Sequence, residues 1–223
     1  MSIASYIDHT LLKADATTEQ IEKLCKEAAE NRFATVCVNP HYVAYCKELL
    51  NDTQVKVCTV VGFPLGANKT AVKIFEMEQA LQDGATEIDY VINVSDVKNG
   101  DFQAIKDEMN HFLKMKSKNP ELIIKVILEV CYLTDSEISK VSMIARECNI
   151  DFVKTSTGFG SGGATEEAVQ IMKDVSGETV KVKASGGIRT IEDAEKFIAL
   201  GTSRIGTSNG VTIVKGKAAL NEY

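Results

Sequence analysis

Residues Thr86 to Asn93 read TEIDYVIN, a β-branched run in which Glu87, Asp89 and Asn93 fall on one side and Ile88, Tyr90 and Ile92 on the other. Strand side chains alternate between faces with period two, so this strand directs its ionic groups to a single face. Three more runs behave alike. Lys125 and Glu129 share a face in Leu122 to Val130, Lys154 and Ser156 in Asp151 to Ser156, and Lys181 and Lys183 in Val180 to Ala184. In an open sheet both faces lie under apolar helix stripes, where each buried ion costs several kcal/mol even after relaxation. Inside a closed barrel opposite charges can meet, near the C-terminal mouth where catalytic groups lie. Parity therefore favours the barrel.

The rest of the chain supplies the other units. Ile7 to Leu12, Phe33 to Val38, Val55 to Val61 and Ser203 to Gly206 complete a set of eight strands, the first being the weakest. Between them lie amphipathic helices, with Ile21, Leu24, Cys25 and Ala28, or Ala168, Ile171, Met172 and Val175, at helical spacing. Thr190 and Asp193 form a capping box that opens the last long helix. Such alternation implies parallel strands joined by right-handed crossovers. An open doubly wound sheet has the same repeat, so the parity argument, and not the count, selects an α/β fold of the (β/α)8 TIM-barrel type, one domain over residues 1–223.

Composition removes several classes of function. The net charge is -6 and the basic residues are scattered, so there is no stripe to neutralise nucleic-acid phosphates. No window has the apolar length of a signal h-region or a membrane span, which makes the cytoplasm the expected location. Six cysteines without a CxxC pair point to reduced thiols, and three lone histidines give a zinc site little support.

Two glycine motifs invite misreading. Gly158, Gly160 and Gly163 match G-x-G-x-x-G, but the next strand ends in Val182, Lys183 and Ala184, with no acidic residue to bind a ribose hydroxyl. The stretch from Gly62 to Thr70 resembles a P-loop, yet Asn68 stands where glycine must precede the lysine. Both read better as strand-to-helix loops.

The lysines carry more information. A single lysine in a strand is usually an edge or snorkelling residue. With Lys125, Lys183 and Asp89 pointing into the same barrel as Lys154, one lysine can be cationic and paired while another is neutral. A free lysine, with a pKa of about 10.4, is neutral in only about one molecule in two thousand at pH 7. A neighbouring ammonium and partial burial both disfavour the charged form, and the amine then becomes a nucleophile able to form a Schiff base with a carbonyl. After the last two strands come Ser185-Gly186-Gly187-Ile188-Arg189 and Gly206-Thr207-Ser208-Asn209-Gly210. In barrels, loops at these places frequently bind phosphate through bare backbone amides. Gly186, Gly187, Gly206 and Ser208 are the candidates, and the amides around Gly158 are a further one.

Ordered segments along the whole chain, VCVNP (Val36 to Pro40), VGFPLG (Val61 to Gly66), EIDYVIN, KVILE (Lys125 to Glu129), DFVKTSTGF (Asp151 to Phe159), VKASGGIRT (Val182 to Thr190) and RIGTS (Arg204 to Ser208), resemble the deoxyribose-phosphate aldolase family of class I aldolases. The resemblance implies a Schiff-base lysine at Lys154, an assisting lysine at Lys183 and an aspartate at Asp89. It implies reversible cleavage of 2-deoxy-D-ribose 5-phosphate to D-glyceraldehyde 3-phosphate and acetaldehyde, as a step in deoxyribose phosphate catabolism, with no metal or organic cofactor. It also places Cys37 and Lys125 near the substrate, and gives the terminal Tyr223 a part in proton transfer. Asn209 departs from the family's second serine in the phosphate loop. Tyr90 replaces a commoner methionine and by parity faces the helices. The expected partners are small phosphosugars and aldehydes, with no nucleic acid or membrane. A homodimer is compatible with the sequence, although no apolar helix face stands out from those that cover the barrel. The rival readings are another phosphosugar barrel, either an isomerase or a different Schiff-base aldolase, and a catalytically silent phosphosugar-binding module.

Overall fold

The runs of β-branched residues become strands because the chain can bury them on both faces, against helices outside and against one another inside. The computed structural model describes residues 2–216. Its strands are β1 (Ile7–Leu11), β2 (Thr35–Val38), β3 (Lys56–Val61), β4 (Glu87–Val91), β5 (Ile123–Ile127), β6 (Phe152–Lys154), β7 (Lys181–Ser185) and β8 (Arg204–Thr207). Each pairs in parallel with its sequence neighbours, and β1 closes on β8 with His9 opposite Thr207. The helices are α1 (Thr18–Asn31), α2 (Val43–Leu49), α3 (Thr70–Gln82), α4 (Val94–Lys98), α5 (Phe102–Lys118), α6 (Asp135–Cys148), α7 (Glu166–Ser176), α8 (Ile191–Ala199) and α9 (Gly210–Val214). This is the (β/α)8 barrel that side-chain parity required.

Every expected strand forms, and most are shorter than the β-branched runs that announce them. The run Leu122 to Val130 is cut at Ile127 because Glu129 turns into the left-handed region, at φ 55 and ψ 65, which no strand continues through. The run Asp151 to Ser156 is cut after Lys154, where residues 155–160 bend over the mouth. The trimmed residues are thus rim residues.

Alternation sorts the core into two parts. Ile88, Tyr90, Ile124, Val126, Val153, Val182 and Ile205 face outward and pack against the helices in one large cluster. Tyr90 stacks on Phe112 of α5 with ring centroids 3.7 Å apart, so it does face the helices. Inside the barrel the apolar part is smaller, with Leu12, Cys37, Cys58 and Val60 packed against Phe63 and with Val91, Ile127 and Phe152 on the inward faces of β4, β5 and β6. Asp8, Glu87, Asp89, Lys125, Lys154 and Lys183 are buried as well. Branched aliphatic side chains fill most barrels of this type, and here ions replace much of that packing.

Local chemistry sets the helix starts. The Thr190 and Asp193 capping box forms as expected, and Thr17 with Gln20 and Thr134 with Glu137 form two more. One helix departs from expectation. Val72 and Phe75 lie exposed on α3, while Met77 and Ala80 face inward. Because both sides of α3 are apolar, periodicity could not separate the covering face from the outer one. Among the described residues, no helix is long and apolar enough to cross a membrane.

Candidate active site

The barrel's tilt brings six strands' ionic side chains together. In register, Asp89 of β4 lies opposite Lys125 of β5, and Lys154 of β6 lies opposite Lys183 of β7. The Lys154 ammonium is 2.9 Å from Asp89 Oδ2, which also accepts from Lys183 at 2.7 Å. Lys125 holds the other oxygen, Asp89 Oδ1, at 2.8 Å, and lies 2.6 Å from Glu87. Below them Asp8 joins Lys183 at 2.5 Å to Arg204 at 2.5 Å, and Arg204 bonds Glu87 at 2.9 Å. Asp89, Lys125 and Lys183 are completely buried, and Lys154 retains 3% exposure.

Competition between burial and pairing decides the charge states. Burial alone would raise the Asp89 carboxyl, but the ammonium groups of Lys125, Lys154 and Lys183 outweigh it and hold Asp89 well below the usual carboxylate range. For Asp8 burial likewise opposes, and Lys183, then Arg204 and Lys125, bring it down. Burial would lower Lys183, yet Asp8 and Asp89 raise it above an ordinary lysine. Burial would lower Lys125 too, and Asp89, Cys58, Glu87 and Asp8 push it well up. Asp8, Glu87 and Asp89 therefore balance Lys125, Lys183 and Arg204 among the ion pairs of the described residues. Lys154 is the fourth amine or guanidine, and its carboxylate oxygen is already shared with Lys183. Without its proton it leaves the cluster neutral and presents a lone pair to the mouth.

Cys37, Cys58 and Asp89 bring ligand atoms within 4.8 Å of one another, close enough for a metal ion. The surroundings oppose it. Both Asp89 oxygens are occupied by ammonium groups, and a further cation would sit among three of them, where unit charges repel strongly in a dry interior. Cys37 itself is fully buried opposite Cys58 in register. Its thiol is brought down by a hydrogen bond with Cys58, against burial and with help from Lys183.

The glycines have mixed duties. Gly158, Gly186 and Gly187 have φ of 87°, 87° and 83°, a conformation other residues rarely adopt. Gly206 clears space for the stem of Lys183, since a Cβ there would lie 3.1 Å from Lys183 Cε. Gly163 lies against the next loop, with Ala164 N donating to Gly186 O at 3.1 Å. A Cβ on Gly163 would lie 2.3 Å from that carbonyl oxygen. Gly163→Ala is accordingly expected to force the two loops apart at a cost of about 1–3 kcal/mol. Calorimetry should read this as a melting temperature lower by roughly 2–12 °C, and unchanged melting would show that the loops are not in contact.

The β8 loop is tied to the β7 loop by Thr207, whose hydroxyl donates to Ile188 O at 2.7 Å and accepts from Asn209 N at 2.9 Å. Ser208 is exposed beside it, with Asn209 Nδ2 donating to its hydroxyl at 3.5 Å. Lys154, Lys183 and Asp89 are thus brought together, Gly158, Gly186, Gly187 and Ser208 lie on the loops that follow β6, β7 and β8, and Gly206 lies within β8 itself. Lys125 is different. Expected beside the substrate, it is sealed under Asp89 by carboxylates on every recorded ion pair. Tyr223 lies outside the described residues. Sequence reasoning did not single out Asp8, Arg204 or Thr157; the one available signal was that Asp8 and Arg204 share their strands' inward faces with Thr10 and Gly206.

A barrel interior given over to paired lysines, with a single amine open to the mouth, belongs to the class of (β/α)8 aldolases. Comparison narrows this. The model of the DeoC/LacD aldolase family matches residues 2–216, and the chain belongs to that family. A deoxyribose-phosphate aldolase of Carboxydothermus hydrogenoformans is 52% identical over 222 residues, covering 99% of this chain and 97% of its own. That of Streptococcus equi subsp. zooepidemicus is 50% identical over the full length of both chains. The solved tetrameric deoxyribose phosphate aldolase from Aeropyrum pernix superposes with a TM-score of 0.88 at 34% identity, over 96% of this chain and 89% of that one.

Proposed function

We propose that this aldolase reversibly cleaves 2-deoxy-D-ribose 5-phosphate to D-glyceraldehyde 3-phosphate and acetaldehyde through a Schiff base on Lys154. The observation that carries the reading is the shared Asp89 oxygen, 2.9 Å from Lys154 and 2.7 Å from Lys183. Lys154 adds to the C1 aldehyde of the open-chain sugar, and loss of water from the carbinolamine gives an iminium. That iminium restores a cation where Asp89 is already fixed to receive one, so the carboxylate stabilises the charge as it forms without reorganising. The C2 to C3 bond then breaks as the C3 hydroxyl gives up its proton, and its electrons pass into the iminium to leave an enamine of acetaldehyde. Asp89 and Lys183 relay that proton through water. Protonation at C2 and hydrolysis release acetaldehyde and return the amine.

In this reading the amides at Gly158, Gly186, Gly187 and Gly206 and the Ser208 hydroxyl hold the phosphate, and Asn209 leaves that role to the backbone. Lys125 moves from substrate contact to support, since it fixes Asp89 from below, and Cys37 forms wall rather than machinery. Tyr223 keeps its proposed part in protonation at C2. One domain, a cytoplasmic setting with reduced cysteines, and a role in deoxyribose phosphate catabolism complete the proposal. A homodimer belongs to it too, with the exposed Val72 and Phe75 of α3 as the face such an assembly would cover.

The deciding experiment is incubation with acetaldehyde, reduction with borohydride, and peptide mass mapping. The adduct is expected on Lys154. A silent binding module gives no adduct, and a different Schiff-base chemistry gives one on another lysine.

A further inference from the structure

Glu129 is a buried carboxylate that the mechanism above does not use. It lies just past β5 in a left-handed conformation unusual for its residue type, at φ 55 and ψ 65, and is 2% exposed. Residues held in sparsely populated conformations persist where their surroundings over-determine them, and they cluster at functional sites. The surroundings here are explicit. Leu128 N donates to Lys154 O at 2.9 Å and Val130 N donates to Thr155 O at 3.0 Å, so the backbone on both sides of Glu129 is bonded to the nucleophile's own segment. Between these two rungs the Glu129 side chain crosses to the turn that follows β6. Its carboxylate accepts from Thr157 N at 3.2 and 3.4 Å and from the Thr157 hydroxyl. Thr157 Oγ1 then accepts from Phe159 N at 3.0 Å. Gly160 leaves room for this, because a Cβ there would lie 3.2 Å from Glu129 Cδ. The turn from Thr155 to Gly160 is folded around one carboxylate.

That turn is also a wall of the mouth. A cavity of about 180 Å³ is lined by Pro64, Leu65, Glu129, Thr157, Phe159 and others, and Phe159 meets Phe63 edge to face at 5.3 Å. We propose that Glu129 is a positioning residue for the Schiff-base step. By clamping Thr157 it fixes the turn that begins at Lys154, and so the orientation in which the amine meets a carbonyl entering through the mouth. The proposal rests on the Lys154 reading above. It assigns Glu129 no contact with the reacting atoms; it acts through Thr157 and the backbone of residues 154–157.

Misplacing a reacting group by about an ångström can cost roughly a hundredfold in rate. Glu129→Gln keeps the volume and one acceptor oxygen but replaces the other with a donor facing the donors of Thr157. It is expected to lower kcat roughly 10- to 100-fold, while KM for deoxyribose 5-phosphate stays within about 3-fold because, of the groups assigned to the phosphate, only Gly158 lies on this turn and the others belong to β7, β8 and their loops. Thr157→Val should give the same split, Thr157→Ser should restore most of the rate, and the double variant E129Q/T157V should be no slower than about 3-fold below either single, since both act as one unit. The rate of borohydride-trapped adduct formation with acetaldehyde should fall with kcat. If E129Q does not fold, T157V and T157S carry the same comparison.

Lowered melting temperatures with kcat intact would make the clamp merely structural and overturn the proposal, as would losses that multiply in the double variant. Wild-type protein trapped at Lys154 together with equally fast trapping in both variants removes this inference alone. Wild-type protein without an adduct at Lys154 removes the function reading and this inference together.

Discussion

Lys154→Leu should abolish turnover and leave the fold nearly untouched. A covalent nucleophile acts as one unit with its neighbours, and deleting it typically costs roughly five orders of magnitude or more in kcat. The stability side of the expectation is the sharper one. Asp89 keeps Lys183 at 2.7 Å on Oδ2 and Lys125 at 2.8 Å on Oδ1 after Lys154 is gone, so no buried carboxylate is stranded. Leucine fills the volume of the lysine stem beside residues already packed. A change of about 1 kcal/mol or less is expected, or roughly 2–4 °C in melting temperature for a chain of this size. Steady-state rates and thermal melting of the same preparation check both halves. Turnover within tenfold of wild type would remove Lys154 as the nucleophile. A collapse of melting with loss of activity would instead show that the cluster needs Lys154 as a structural cation, against the charge balance described above.

The barrel and the centre of its site were legible because each rested on a local pattern. Period-two alternation placed Asp89, Lys125, Lys154 and Lys183 inside, and Tyr90 toward the helices, without any knowledge of partners. What failed to show were the features fixed by distant contacts. Asp8 and Arg204 are single charges on short strands, and their ion pair spans 196 positions in sequence. Lys183 reaches Asp8 across 175 positions. No window holds both ends of either pair, and β1 was the weakest strand of the set. Strand ends were equally hidden. Glu129 lies in a run of β-branched residues, yet its own hydrogen bonds to Thr157 turn the chain away. The spacing of Gly158, Gly160 and Gly163, rightly set aside as a dinucleotide fingerprint for want of an acidic partner, answers instead to three separate needs. They are a positive φ at Gly158, room for Glu129 at Gly160, and contact with the Gly186 backbone at Gly163.

The second large effect concerns the ion that holds the others. Asp89→Asn keeps the shape of the side chain and removes the charge against which Lys125 and Lys183 are buried. Breaking a buried pair from one side costs about 3–5 kcal/mol because the partner charge is left uncompensated. The melting temperature should fall by roughly 6–20 °C, and turnover should vanish with the iminium's counter-charge. Adding Lys183→Met to Asp89→Asn removes one excess ammonium while Asp8 keeps Arg204 at 2.5 Å. The double variant should therefore melt above Asp89→Asn and still be inactive.

Acid supplies an independent check on the same carboxylate. The native pKa of Asp89 is depressed, so its contribution is fully present above the unfolded value of about 3.9 and is lost as pH falls from there toward the native value. Asp8 is depressed as well, and further in Asp89→Asn, where the opposing Asp89 charge is gone, but in both proteins it titrates only below the unfolded value and leaves the pH 5 to 8 window flat. The gap in melting temperature between wild type and Asp89→Asn should thus be constant from about pH 5 to 8 and shrink below about pH 4. A gap that persists unchanged into strong acid, or a double variant no more stable than Asp89→Asn, would mean that Asp89 is held by packing rather than by charge.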